Sequence, residues 1–469
     1  MTGDVPKRQY YARRAKTANP YYRVCDIDVG PKRRRLASRR RLVGGDSELL
    51  HRDRMSNLPQ DLIHCIVKWL SVHDAARTSV LSKEWRYIWG MNTRLVLDEL
   101  FFSQLTLNKD KEEHEAAFLR AVEMIILVPI GPILSFSLYI PPKLNQCPVP
   151  RWIDHFLKKG VRDIKLINSE KNVYEIPSCL FDSVELTHLN LYTWIFNLPN
   201  KFTSAANLVW VKLINITFKA DISFGKQLKF LSLEHCSGIE HLGCQFTNDN
   251  RLAKLRITAS EQIDWRWLEC TKQLKFFGLE LTPVANFNRE KSVNLIRLLG
   301  NVPSLSGLYT SGFTLEVLGP DVTVMKGLAT HEVKNLRALM LSQLGSCNLR
   351  QISASLELIR CLPNLRRLDI IMEVAGVKNV NPIELTRNLD SVDWKDISLA
   401  QLHTVKIQDV MVSNYLFQFI KFLLASSPLL RVMLLICTSE AIDPIEKSKI
   451  KQELQHFPKI SLAAQIILR

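Results

Sequence analysis

The sequence predicts an α/β chain: a short three-helix module, then a stacked solenoid of strands and return segments forming a curved parallel sheet, closed by a C-terminal α/β unit. Two observations carry this. Between Leu58 and Trp89 apolar residues recur at helical spacing. From about residue 134 onward the chain repeats itself, most plainly as a Leu-x-x-Leu-x-Leu unit whose alternation suits a strand buried on one face. The resulting division is 1–50, a basic leader; 51–95, the helical module; 96–385, the repeats; and 386–469, the closing module.

In the helical module Pro59 suits a first helical turn, and Asp61 places negative charge where the helix dipole favours it. Leu62, Ile66 and Leu70 recur at i, i+4 and i+8, with Cys65 and Trp69 beside them. Asp74 is the expected N-cap of a second helix starting at Ala75, and a third helix is expected to carry Trp85 and Trp89 on one face. Helices totalling about 40 residues cannot cover all their apolar surface. Part of it must face either the rest of the chain or a partner.

The wording of this segment narrows the choice. Leu58-Pro59, the Asp74-Ala75 step and Ser79-Val80-Leu81-Ser82-Lys83-Glu84-Trp85-Arg86 resemble an F-box in order and separation. The resemblance implies docking on a Skp-type adaptor and, through it, a cullin–RING ubiquitin ligase. It assigns adaptor contacts to Leu58, Pro59, Leu62, Ile63, Ile66 and Leu70, and to Val80, Leu81, Trp85 and Trp89.

The repeat reads as Leu186/Leu189/Leu191, Leu208/Val211/Leu213, Leu228/Leu231/Leu233, Leu252/Leu255/Ile257 and Leu274/Phe277/Leu279. It returns as Leu336/Leu339/Leu341, Leu365/Leu368/Ile370 and Leu402/Val405/Ile407. Early copies lie 20 to 24 residues apart, within the range of leucine-rich repeats, and Cys236 stands where such repeats place Asn or Cys. One unit cannot bury its apolar face alone; stacking makes a continuous core. Val293–Leu299 and Leu356–Cys361 are expected to be return helices. In the last module a helix is expected over Tyr415–Leu424 and a strand over Val432–Ile436. With Phe457-Pro458 and Ala464-Gln465-Ile466-Ile467, this stretch resembles the FBD module of plant F-box proteins with leucine-rich repeats, as does Ile176-Pro177-Ser178-Cys179-Leu180-Phe181.

Composition limits the alternatives. Of 469 residues 46% are hydrophobic and 23% charged, ordinary for a folded domain. The net charge is +16, and residues 1–50, with 13 Lys/Arg against 5 Asp/Glu, supply half of it. No direct nucleic-acid partner is therefore expected from the pI. The leader's two clusters, Lys32-Arg33-Arg34-Arg35 and Arg39-Arg40-Arg41, suit a nuclear-import signal, with a solvated tail as the alternative. No apolar signal region opens the sequence. The charge-free run Met124–Pro142 is broken by Pro129, Gly131 and Pro132, so it reads as a helix over about 112–127, a turn and a buried strand rather than a membrane span.

No catalytic motif is found, and no cofactor or metal is expected; Cys236, beside His235, reads as a packing residue. Residues between the repeat leucines should point onto the concave sheet face. They include His188, Asn190 and Tyr192, then Trp210 and Lys212, then Phe230 and Glu234, then Lys254 and Arg256. The rings would form an aromatic patch, unless loops or the closing module cover it, and Lys212, Lys254 and Arg256 would add positive charge suited to an acidic target or small anion. The expected function is target recognition for a Skp–cullin–F-box ligase. A non-degradative nuclear scaffold and a ligand-gated receptor remain the alternatives.

Overall fold

In the computed structural model the described residues are 58–81, 85, 88–127, 131–142, 144, 148–169, 174–197, 207–219, 224–238, 251–259, 268, 271–282, 295–300, 302–318, 333–345, 348–373, 399–409, 414–437 and 444–469. The leader, with its import candidates, lies outside them.

The helical module opens with α1 (Gln60–Val67), which Pro59 precedes as its N-cap, and α2 (Val72–Arg77). The cap of α2 is Ser71 rather than Asp74: its hydroxyl accepts from the Asp74 amide at 3.1 Å and lies 2.9 Å from the Asp74 carboxylate. The sequence Ser-x-x-Asp places the acid at the third helical position, where both groups help satisfy the exposed first turn. The expected third helix is two short 3-10 turns among the described residues, Thr78–Val80 and Ile88–Met91, the second carrying Trp89.

The sheet begins directly after, at β1 (Arg94–Leu97), followed by α3 (Glu99–Thr106), α4 (His114–Leu127), β2 (Ser135–Ile140), α5 (Val149–Leu157) and β3 (Asp163–Asn168). Then come α6 (Cys179–Asp182), β4 (His188–Tyr192), β5 (Ile195–Phe196), β6 (Trp210–Ile214), β7 (Thr217–Phe218), β8 (Phe230–Glu234), β9 (Lys254–Ala259) and β10 (Phe276–Leu281). The chain continues through α7 (Leu295–Gly300), β11 (Gly307–Ser311), α8 (Gly312–Leu318), β12 (Ala338–Leu344), α9 (Leu349–Arg360) and β13 (Arg367–Met372). It finishes with β14 (Thr404–Gln408), α10 (Asn414–Ser426), β15 (Val432–Ile436), α11 (Pro444–Gln455) and β16 (Gln465–Leu468).

Fourteen strands form one parallel sheet in the order β1-β2-β3-β4-β6-β8-β9-β10-β11-β12-β13-β14-β15-β16; β5 and β7 pair separately. The helix and strand expected within 112–142 are α4 and β2, and no helix among the described residues is long and apolar enough to cross a membrane.

Register aligns the repeat leucines into two ladders. Leu189, Val211, Leu231, Leu255 and Phe277 form part of one; Leu191, Leu213, Leu233, Ile257 and Leu279 form part of the other. All ten are buried to 1% exposure or less, so each contributes about 1.5–3 kcal/mol of transfer free energy. Phe136 and Phe156 pack with centroids 4.1 Å apart, showing how α5 closes over the same core. Strand starts from β4 to β10 are 20 to 24 residues apart, and the described returns between them include β5 and β7. From β10 onward they are 28 to 37 residues apart, room enough for the helical returns α7 to α11. β13 pairs directly with β14, so the closing module shares its sheet with the repeats.

β11 runs into α8 without a loop, and this demands Gly312. A Cβ there would lie 2.6 Å from the Gln343 carbonyl oxygen and still nearer the Gln351 side-chain oxygen. Gln351 cannot readily retreat. Its Oε1 accepts from the Gly345 amide at 2.9 Å, and its Nε2 lies 3.3 Å from Glu316. Gly312→Ala should therefore lower stability by about 1–3 kcal/mol, as overpacking does, read as a fall in the denaturant midpoint.

Candidate functional site

Two surfaces are candidates, one on the helical module and one on the sheet. On α1, Ile63 and Val67 face inward and form, with Ala75 and Trp85, a small separate core on which Leu58, Leu70 and Trp89 pack half-buried. The other side of the same helix presents Leu62, Ile66 and Trp69, with Leu62 51% and Trp69 63% exposed. Val80 (87%) and Leu81 (52%) stand out after α2, and Pro59 is also exposed.

The ten residues expected to touch an adaptor thus separate. Pro59, Leu62, Ile66, Val80 and Leu81 are on the surface; Ile63 and Trp85, at 1% exposure, are in the core and cannot form it. Leu58, Leu70 and Trp89 lie between. Trp69 joins the surface although the sequence placed it only beside the stripe. A module whose own core is satisfied has no folding reason to expose such a row of large apolar side chains, which is the signature of a docking face.

On the sheet, the face opposite the leucine ladders carries three rows. The first begins at His188, Trp210, Phe230 and Lys254 on neighbouring strands. Trp210 and Phe230 stack almost parallel, 6° apart with centroids at 4.9 Å, and His188 stacks on Trp210 at 6.2 Å. His188 is exposed and both rings are half-buried, so this stack is not wholly covered, but Tyr192, expected beside Trp210 and Phe230, stands two rows away.

The second row runs Lys165, Asn190, Lys212, Ser232, Arg256, Gly278 and Tyr309; the third includes Tyr192, Glu234 and Glu280. Here the expected positive patch is corrected. Lys212 pairs with Glu234 at 3.5 Å, and Arg256 pairs with Glu280 at 3.5 Å. Arg256 also reaches across Gly278 to sit 4.9 Å over the Tyr309 ring, whose hydroxyl donates to Glu280 at 3.3 Å. Burial and the Glu280 charge push the Tyr309 hydroxyl up to about 12. Lys165 lies over Tyr192 at 5.6 Å. The middle of the face is a largely neutralised network; of the three expected cations only Lys254 is exposed.

Glu234 makes that network pH-sensitive. Burial pushes its carboxyl up, but Lys212 and Arg256, helped by the Ser232 hydroxyl, outweigh burial and hold it below the ordinary 4.5. A carboxyl depressed on folding adds stability that is present above its unfolded value and lost as pH falls through its folded one. Glu234→Gln should therefore flatten the decline of thermal melting temperature between about pH 5 and about pH 3.

Cys236 is buried, its thiol donates to the Leu213 carbonyl at 3.5 Å, and burial pushes it up to about 12, so it is a thiol at neutral pH. Among the described residues no group of three or more His, Cys, Asp or Glu is placed to hold a metal ion.

The F-box domain family matches residues 55–96. The F-box/FBD/LRR-repeat protein At1g13570 of Arabidopsis thaliana is 28% identical over 428 residues, covering 88% of this chain and 98% of that protein. Two F-box/LRR-repeat proteins of the same plant, At3g58940 and At4g14103, are each 32% identical over 195 and 164 residues, spanning 30% and 36% of their own lengths. Among solved structures an internalin (inlF) from Listeria monocytogenes aligns over 78% of this chain and 96% of its own, at 12% identity and a TM-score of 0.31. The matched helical module, the leucine-ladder sheet and the match along nearly all of At1g13570 make the chain an F-box protein of the plant F-box/FBD/LRR-repeat family.

Proposed function

We propose that the chain is the substrate-recognition subunit of a Skp–cullin–F-box ubiquitin ligase. The observation that carries this is the exposed row Leu62, Ile66, Trp69, Val80 and Leu81 on a module with its own closed core. An F-box domain implies binding to a Skp-type adaptor, and F-box/LRR proteins are typically non-catalytic ligase subunits. In this reading the apolar row seats on the adaptor, and the open sheet face over β4 to β9 holds the target beside the conjugating enzyme. In this reading its contribution is the raised effective concentration of a target lysine rather than bond chemistry.

The stacked His188, Trp210 and Phe230 supply the target face with rigid aromatic area, which binding surfaces favour. Nuclear action, through the import candidates of the leader, belongs to the same proposal.

The test is binding of the purified full chain to a Skp-type adaptor, wild type beside Leu58→Ala/Pro59→Ala and beside substitutions in the exposed row. Binding lost on changing the row supports the ligase subunit. No binding by the wild type overturns it and leaves a repeat scaffold.

A further inference from the structure

The rim of the sheet where the strands begin has a charge pattern that neither the leader nor the network on the face accounts for. A backbone ladder links one residue per strand. The amide of each donates to the carbonyl of the one before: Ala253 to Lys229, Lys275 to Ala253, Ser306 to Lys275, and Arg337 to Ser306, all at 2.8–2.9 Å. Arg366 then donates to Arg337, His403 to Arg366 and Arg431 to His403 in the same range.

Five of these rungs are Lys229, Lys275, Arg337, Arg366 and Arg431; all are exposed, and none has an acidic partner among the described residues. The turns leading into the same strands add Lys226, Arg251, Lys272 and Lys334, and the first positions of β9 and β13 add Lys254 and Arg367, all exposed. In the rim segments 225–230, 251–254, 271–276, 302–307, 333–338, 361–367, 399–404 and 427–432 there are eleven Lys/Arg and no Asp or Glu. Those eleven exceed the whole +8 that residues 51–469 contribute to the net charge. At the other end of the strands stand Glu373 and Asp409. Arg367 is paired with Asp369 at 3.0 Å, and Arg251 donates to Gln227 at 3.0 Å; the ladder cations make no such bonds.

We propose that this rim, from β8 to β15, is a binding ridge for an acidic, extended segment of the target protein. The proposal rests on the reading of the chain as a target receptor and names the chemistry of what it receives. Adjacent strands are about 4.8 Å apart, so seven steps make a comb of about 34 Å, the reach of about ten extended residues. Among the described residues the row is single-signed, and such a row concentrates potential along its line and draws in a chain of opposite sign.

Carboxylates are favoured over a nucleic acid by the rings next to the comb. Trp210 and Phe230 spend their π-faces on each other, and the Phe276 ring leans over Gly307, where a Cβ would meet it at 2.8 Å. Single-stranded nucleic-acid binding calls for free faces on which bases stack. Trp210 and Phe230, stacked on each other with His188 against Trp210, leave less open ring face for bases than such binding uses.

The experiment is fluorescence anisotropy of a labelled decaglutamate peptide with the full chain at low salt, with single-stranded decauridine RNA in parallel. Lys229→Glu/Lys275→Glu/Arg337→Glu should weaken peptide binding about tenfold or more. Lys111→Glu/Lys421→Glu/Lys451→Glu, three exposed lysines off the ridge and the same change in net charge, should weaken it by less than about threefold. All six sites are exposed, so folding is spared, and circular dichroism checks it. Equal losses in the two variants, or no peptide binding by the wild type, would overturn the ridge. RNA bound more tightly than the peptide and lost with the ridge variant would overturn the occupant and assign the comb to nucleic acid. Adaptor binding, measured on the same preparations, separates the two readings: its failure removes the ligase function and leaves the ridge result standing.

Discussion

A chain carrying Leu62→Asp and Ile66→Asp should lose affinity for a Skp-type adaptor by about a hundredfold or more while melting near the wild-type temperature. The two expectations come from the same geometry. Both side chains are exposed, Leu62 at 51% and Ile66 at 39%, while the buried side of α1 belongs to Ile63 and Val67. Polar replacement removes little apolar burial from the folded chain, and the cost in helix propensity is about 0.5 kcal/mol per site or less. Central apolar anchors of an interface cost at least about 2 kcal/mol each when lost, so two together exceed a hundredfold even if partly redundant. Biolayer interferometry against the immobilised adaptor gives the affinity, and differential scanning fluorimetry gives the stability. Retained binding in the double variant would place the docking face elsewhere, most directly on Val80 and Leu81.

The second large effect is expected at Trp85, and it should look different. Trp85 is 1% exposed and is the largest member of a core otherwise made of Ile63, Val67 and Ala75. Truncating a buried tryptophan to alanine costs about 3–5 kcal/mol. A module of about 40 residues has little stability to spare, so Trp85→Ala should open it locally. Hydrogen exchange should accelerate across residues 60–77 while the strands of the sheet keep their protection, and adaptor binding should fall in step. Trp69→Ala is the matching control: 63% exposed, it should weaken binding with no change in exchange. If Trp85→Ala bound the adaptor normally with unchanged exchange, the small core would not be what holds the docking face in place.

These two variants also mark where the sequence stopped being legible. The 3.6-residue period located α1 and its apolar positions, but two apolar stripes share that helix, Leu62/Ile66 and Ile63/Val67. Periodicity cannot say which faces in when a partner awaits the other. Ser71 escaped notice as a cap because Asp74 has the same preference for helix starts; three residues apart, they turn out to act together. In the sheet the eight leucine units were all strands, yet β11 was not among them, because Thr310 stands where the last leucine belongs. Val161-x-x-Ile164-x-Leu166 hid in the same way behind other apolar residues, while Phe136–Ile140 and Val432–Ile436 were expected as strands but not as units of the repeat. The spacing was the better signal throughout, since the pocket between two ladders accepts any side chain of the right volume.

The charges of the open face were misjudged for a different reason. Lys212 and Glu234 lie on adjacent strands, 22 positions apart in sequence, and nothing in either repeat read alone reveals that they meet. The rim cations share the same non-locality: most units carry one or two, diluted among twenty or thirty other residues, and only the register brings them into line.

That register has a consequence for how such chains diversify. Because every hydrogen-bonded neighbour in the large sheet is the next of its strands along the chain, the sheet works as a ruler with interchangeable divisions. Gain or loss of one unit between β9 and β12 would leave the flanking units chemically untouched and shift them by about 4.8 Å relative to each other. A relative could thus keep every rung and still measure a different length of ligand, changing what it selects by spacing alone.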